Sequence, residues 1–158
     1  MDSVIDIRGI ARDDDILAVT LHGLPDRPGI AYFVFDLLAR ESIDVDIILQ
    51  SISESQKNDI VFTVRLTDRD RINEVLNRNL AAIGADSFVI DNVSKVSVSG
   101  VGMKGTPGVA AKVFRALYDA GVEIMHISTS EIKISLLMRT EYAARAMDAL
   151  YAAFNFTV

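Results

Sequence analysis

One stretch of this chain occurs twice. Gly23-Leu24-Pro25-Asp26-Arg27-Pro28-Gly29-Ile30-Ala31 is echoed by Gly102-Met103-Lys104-Gly105-Thr106-Pro107-Gly108-Val109-Ala110, about 80 residues later. An internal repeat constrains the architecture more than any single element does, because both copies must build the same supersecondary unit. Each copy follows a run of alternating apolar residues, the period of a strand, and precedes apolar positions at helical spacing. Proline and glycine at the join stop the strand and let the backbone turn sharply. The first N–H groups of the following helix then have no intrahelical acceptor and face the loop, which suits a carboxylate or a phosphate.

Residues 4–10 largely alternate at strand period, and Asp13-Asp14-Asp15 predicts a polar turn after them. Residues 16–22 predict a second strand, with Leu17, Val19 and Leu21 on one face. Ile30, Phe33, Val34, Leu37 and Leu38 fit the stripe of an amphipathic helix, which Ser42 and Asp44 end. Val45, Ile47 and Leu49 alternate with Asp44, Asp46, Ile48 and Gln50, so a strand with one largely polar face is expected. A polar turn over 51–58 leads to a strand carrying Ile60, Phe62, Val64 and Leu66. Thr67 with Asp70 resembles a capping box for a helix bearing Ile72, Val75, Leu76 and Leu80, which Gly84 can end. A short strand over 87–91 closes the first copy.

The pattern then restarts with a strand over 95–101. Val109, Val113, Ala116, Leu117 and Ala120 form a helical stripe stopped by Gly121, and 122–130 is strand-like. Ile132, Ile134, Leu136 and Met138 alternate as a further strand. Thr140 is the expected cap of a last helix with Ala143, Ala146, Met147, Leu150, Tyr151 and Phe154 inward. Both halves therefore read strand, Pro-Gly loop, helix, strand, strand, helix. The expected class is α+β: two ferredoxin-like βαββαβ domains, each an antiparallel sheet with helices on one face. The front of the chain has one strand too many and the back one too few. The first domain is therefore expected over 16–93 and the second over 1–15 plus 94–158, with the N-terminal strand completing its sheet and closing an open edge.

A formal net charge of −6 argues against nucleic acid as a partner. The absence of cysteine excludes disulfides and thiolate metal sites. Met1-Asp2-Ser3-Val4 lacks the basic and apolar parts of a signal peptide, and no apolar run approaches the ~20 residues of a membrane span, so a cytoplasmic protein away from membranes is expected. No phosphate-loop or dinucleotide fingerprint is present, and neither His22 nor His126 has a metal-like partner at ligand spacing. Asp13-Asp14-Asp15 reads as an acidic surface turn rather than a cation site, and Ser128, Thr129 and Ser130 lack the signature of a nucleophile turn. No catalytic residue and no metal ligand is assigned.

Four stretches carry a resemblance: Gly23 through Ala31, Val45-Asp46-Ile47-Ile48-Leu49-Gln50, Pro107-Gly108-Val109-Ala110-Ala111, and Ile127-Ser128-Thr129-Ser130-Glu131-Ile132. Together, and in this order, they resemble the tandem ACT-domain regulatory region of aspartate kinase. That resemblance implies a module, or a small regulatory subunit, binding lysine and/or threonine to inhibit aspartate phosphorylation. It implies a homodimer and an aspartate kinase catalytic domain or subunit as partner. No cofactor is expected in this chain; ATP and Mg would belong to the kinase domain.

Carried over residue by residue, one effector pocket would use Asp26, Gly29, Ile30, Ala31, Asp46 and Gln50, and a partner pocket Val109, Ala110, Ile124, Met125 and Ser130. Strand alternation independently puts Asp46 and Gln50 on one face. The sequence departs from the family at Glu123, where Asn is common, and at Gly105-Thr106 before Pro107. A carboxylate at 123 suits an ammonium group but repels an effector carboxylate, which leaves the effector's identity open, and Gly105-Thr106 in place of a bulkier polar pair makes an empty or altered second pocket the expectation. Plainer roles stand beside these: Asp26 as a helix cap, Gly29 and Gly108 as turn formers, Asp46 as a solvent-facing residue. Two other functions stay open, a stand-alone ACT protein that dimerises or senses amino acids for another enzyme, and a catalytic ferredoxin-like domain.

Overall fold

The computed structural model describes residues 7–52, 55–100 and 103–155. Its elements run β1 (Gly9–Pro25), α1 (Ile30–Arg40), β2 (Ile48–Ile52), β3 (Lys57–Arg65), a 3-10 turn (Leu66–Asp68), α2 (Arg69–Ile83) and β4 (Ser87–Ser99), then α3 (Val109–Asp119), β5 (His126–Thr129), β6 (Lys133–Met138) and α4 (Thr140–Phe154). The chain divides into two compact units. One is Asp15–Asn92; the other joins the stretch up to Asp14 with everything from Val93 on.

In the unit Asp15–Asn92 the strand order is β2-β3-β1-β4. β3 pairs antiparallel with both β1 and β2. β4 follows on the far side of β1, where the Asp86 amide donates to the His22 carbonyl at 2.8 Å. Alternation sends Leu17, Val19 and Leu21 to the same face as their cross-strand partners Val64, Phe62 and Ile60. On that face lie Ile30, Val34 and Leu38 of α1 and Ile72, Val75, Leu76 and Ile83 of α2, all buried. Helix spacing and strand spacing thus meet in one core, the ferredoxin-like α+β plan.

The other unit repeats it with the order β5-β6-β4-β1. β6 pairs antiparallel with β4 and β5. Val96, Val98, Ile134, Leu136 and Met138 face Val109, Val113 and Leu117 of α3 and Ala143, Ala146 and Leu150 of α4. Ile7 and Ile10 join this core, and the Arg8 amide donates to Ser99 O at 2.8 Å. Of the predicted first strand, Val4, Ile5 and Asp6 lie outside the described residues. The turn at the head of the second repeat loses Val101 and Gly102 in the same way.

Several expectations are corrected. Asp13-Asp14-Asp15 is not a turn; β1 passes through it unbroken. Asp14 accepts from Arg12 Nε at 2.9 Å and from Ser94 Oγ, and these contacts, Arg12 first, hold its carboxyl below the usual carboxylate range. A neutralised carboxylate on the exposed side of a strand costs little. Likewise the strands expected over 87–91 and 95–101 are not separate: one strand, β4, runs from Ser87 to Ser99, in which Val93 is buried and Ser94 is bonded through its hydroxyl.

The capping box at Thr67 and Asp70 does not form. The chain tightens into the 3-10 turn first, so Thr67 falls inside it and Asp68 flanks α2 without a side-chain cap. Thr140 is the first residue of α4 rather than its cap, and its hydroxyl lies 3.1 Å from that of Ser94. The strands after α1 and α3 start later than alternation suggests, and both helices end in the same closing turn. The Ile43 amide bonds Leu38 O and the Val122 amide bonds Leu117 O, each at 3.0 Å, while Ser42 and Gly121 take positive φ. Both are Schellman endings, and the apolar residue that follows is buried in each.

Candidate functional site

In the first repeat, β1 runs into the loop that opens α1. Gly29 sits before the first helical residue with φ 88° and ψ −5°, a left-handed conformation that glycine adopts without a Cβ penalty. Gly108 does the same before α3, with φ 94°. Neither helix has a side-chain cap hydrogen bond. In α1 the first backbone bond to return is Phe33 N to Gly29 O at 3.0 Å, so the N–H groups of Ile30 and Ala31 open toward the loop. Ile30 turns its side chain into the core, whereas Gly29 and Ala31 are exposed.

Asp26 is exposed and does not cap α1, which removes the plainer reading of that residue. Its amide donates to Gln56 O at 3.1 Å, and its Oδ1 accepts from Asn58 Nδ2 at 3.3 Å. At the loop's entry, Asp59 Oδ1 accepts the Gly23 amide at 3.0 Å and Asp59 Oδ2 lies 3.1 Å from His22 Nδ1. The Gly23 amide is the main cause holding the Asp59 carboxyl below its ordinary value, and the His22 ring adds to it. His22 is therefore a partly exposed structural residue of β1, as its position at a strand end suggests.

Gln50 pairs directly opposite Ile60, and Ile48 opposite Phe62. Opposed residues of antiparallel strands share a face, so Gln50 lies on the helix-bearing face of the sheet, the face that also carries α1. Asp46 continues that face, since burial alternates regularly from Asp44 to Gln50. Backbone bonds extend past the end of β2: Asp46 N donates to Thr63 O at 3.1 Å, and the Ile47 amide turns to Thr63 Oγ1 at 3.0 Å. Asp26, the start of α1, Asp46 and Gln50 are thus all exposed positions of one unit, presented from a loop, a helix end and an edge strand.

The second repeat holds a cavity of about 400 Å³, whose lining includes Val109, Ala110 and Ser130 with Thr106 and Thr129. Lys104 and Glu131, both mostly exposed, also line it and pair at 3.0 Å. Ser130 is held by its own amide, which donates to Lys133 O at 2.8 Å. Ile124 and Met125 are not among the lining residues: Ile124 packs on the core and the Met125 amide bonds Leu137 O at 2.8 Å. His126 sits in β5 opposite Leu137.

Sequence reasoning did not single out Asn58, Thr63, Lys104 or Glu131. Thr63 carried a signal, being a polar residue within the expected strand, whereas Asn58 fell in the expected polar turn and lies in β3 instead. Among the described residues no group of three His, Asp or Glu could hold a metal ion, and no helix is long and apolar enough to cross a membrane.

Two ferredoxin-like units, each opening its first helix on a left-handed glycine, define a tandem of like domains. The ACT-domain family matches residues 19–78 and again 96–154. Aspartokinase from Helicobacter pylori is 43% identical over 150 residues, which are 94% of this chain and 36% of that protein. The regulatory subunit of aspartate kinase from Thermus thermophilus, in its ligand-free form, is 39% identical with a TM-score of 0.87, over 94% of this chain and 99% of that one. A chain in the structure of aspartokinase alpha and beta subunits is 40% identical with a TM-score of 0.88, over 95% and 99%. The chain belongs to the ACT-domain family, as a tandem pair of the kind that regulates aspartokinases. It spans about a third of the length of the curated aspartokinases it matches.

Proposed function

We propose that this chain is the amino-acid-binding regulatory module of an aspartate kinase, taking lysine and/or threonine as its feedback effector. The observation that carries this is the placement, on the helix-bearing side of one unit, of the uncapped start of α1 with Asp26 and Gln50. A free amino acid has the matching charges. Its carboxylate would take the N–H groups of Ile30 and Ala31, where the helix dipole adds ~0.3–1 kcal/mol. Asp26 or Asp46 would receive the α-ammonium, and Gln50 would bond the remaining polar group. Val109, Ala110 and Ser130 would serve the second repeat, where Lys104 and Glu131 offer both charge signs at the cavity.

The working form is a homodimer joined through the exposed strand β2, acting in the cytoplasm on an aspartate kinase catalytic domain or subunit that holds ATP and Mg. Inhibition follows if the effector binds more tightly to the arrangement in which that kinase is less active, because a ligand shifts a population only by its differential affinity. Calorimetric titration with lysine and with threonine tests the binding. Saturable binding of at least one is expected, and heat from neither would refute the reading. Addition of that amino acid to the aspartate kinase containing this chain should lower its rate of aspartate phosphorylation.

A further inference from the structure

We infer that Asn58 is the positioning residue of the first effector loop, holding Asp26 where the effector's ammonium meets it; this rests on the amino-acid-binding reading above. Asn58 lies near the start of β3, where Asn58, Ile60 and Phe62 alternate onto the helix-bearing face, and it is 2% exposed. A carboxamide buried there is costly unless its hydrogen bonds are made. Its Nδ2 donates to Asp26 Oδ1 at 3.3 Å.

The neighbours of Asn58 bind adjoining chain. Asp59 takes the Gly23 amide at the loop's entry, Gln56 O takes the Asp26 amide at 3.1 Å, and Lys57 Nζ meets Asp86 Oδ2 at 2.7 Å. Of the three side chains at 57–59, Asn58 is the buried one, and it is the one aimed at a residue of the effector site.

Its register explains why it can serve the whole pocket. Asn58 stands opposite Leu24 of β1 and Ile52 of β2, two residues along from Ile60, the partner of Gln50. One side chain thus lies between the loop that carries Asp26 and the strand that carries Gln50. Its chemistry fits the task as well. A neutral amide donor fixes one carboxylate oxygen without cancelling the charge, leaving the other oxygen and the full negative charge for an ammonium. Lysine at this place would pair the charge away, and leucine would leave the loop untethered.

The test uses the whole chain with Asn58→Leu, similar in volume, and Asn58→Ser, which keeps a hydroxyl too short to reach. Without any amino acid present, exchange of the hydrogen-bonded loop amides of Asp26 and Arg27 is expected to speed up about tenfold in both variants, while the amides of α2 stay at the wild-type rate. Affinity for lysine or threonine is expected to fall about tenfold, the size of a lost hydrogen bond to a charged group. In an Asp26→Ala background, Asn58→Leu should cost no further affinity, since its effect passes through Asp26.

Unchanged loop exchange, or faster exchange in α2 to the same degree, would overturn the inference and leave Asn58 a plain core residue. If Asn58→Leu does not fold, Asn58→Ser is read in its place. If the wild-type chain binds neither amino acid, the functional reading falls, and the exchange measurement still decides whether Asn58 positions the loop.

Discussion

Asp59 Oδ1 receives the Gly23 amide at 3.0 Å, so a carboxylate on β3 pins the backbone of a turn that lies 36 residues earlier. Its Oδ2 lies 3.1 Å from His22 Nδ1, and the two contacts together hold the Asp59 carboxyl below its ordinary value. A carboxyl with a depressed folded pKa adds stability that is fully present above its unfolded pKa, near 4, and is lost as pH falls through the folded value.

The urea midpoint of the wild-type chain should therefore fall as pH drops below about 4, and Asp59→Asn should flatten that limb. Near pH 7 the cost of Asp59→Asn should stay under about 1 kcal/mol, because the side chain is 43% exposed and solvent screens it. Midpoints followed by circular dichroism across pH check both points. Parallel acid limbs in the two proteins would show that the contact contributes nothing.

The site prediction concerns Gln50 and Asp46, both exposed. Gln50→Ala and Asp46→Ala should each weaken lysine or threonine binding about tenfold, the usual loss for a hydrogen bond to a charged group. Their circular dichroism spectra should match the wild type. Wild-type affinity in both variants would remove β2 from the pocket.

The core prediction contrasts two aromatic residues of one unit. Phe62 is fully buried and meets the Phe35 ring edge-on at 5.7 Å, whereas Tyr32 on α1 is 74% exposed. Phe62→Ala should cost about 3–5 kcal/mol, the transfer term plus a cavity. Tyr32→Ala should stay within about 0.5 kcal/mol. Urea unfolding of the two variants measures the difference, and equal losses would contradict the packing described here.

The assembly prediction uses β2, an edge strand whose Ile48 is 51% and Ile52 83% exposed. Two such residues on an unpaired edge invite another strand or surface. If two copies pair there, Ile48→Lys should shift the light-scattering mass from dimer toward monomer while the fold is kept. A dimer that persists unchanged would place the contact elsewhere.

Local spacing gave the helices well. Ile30, Val34 and Leu38 were legible as one buried stripe of α1, and Gly84 does end α2 in the left-handed conformation. Phe33 fits the same stripe yet is 42% exposed, because spacing gives the direction of a stripe and not how far the sheet beneath it reaches. Of the candidate site, the turn at Gly29 and the shared face of Asp46 and Gln50 were legible from turn chemistry and alternation, while their role as an effector site is what the resemblance implied. Asn58 was not, since a single polar residue beside a polar turn looks like more turn. Its burial depends on β1 and β2 closing over it from both sides.

The sequence by itself determined the repeat, the order of elements in each half and the two glycine-led helix starts, because these rest on periodicity and backbone sterics within a few residues. Tertiary structure alone decided where strands continue and which polar groups are buried. Asp13-Asp14-Asp15 has turn composition, yet Ser94, distant in the chain, and Arg12 bond Asp14 and the strand runs on. Thr140 has cap composition, yet its hydroxyl is taken by Ser94. In each case a partner far along the chain satisfies a group whose local options all looked better. Hydrogen-bond satisfaction is settled over the whole fold, and no window of sequence contains it.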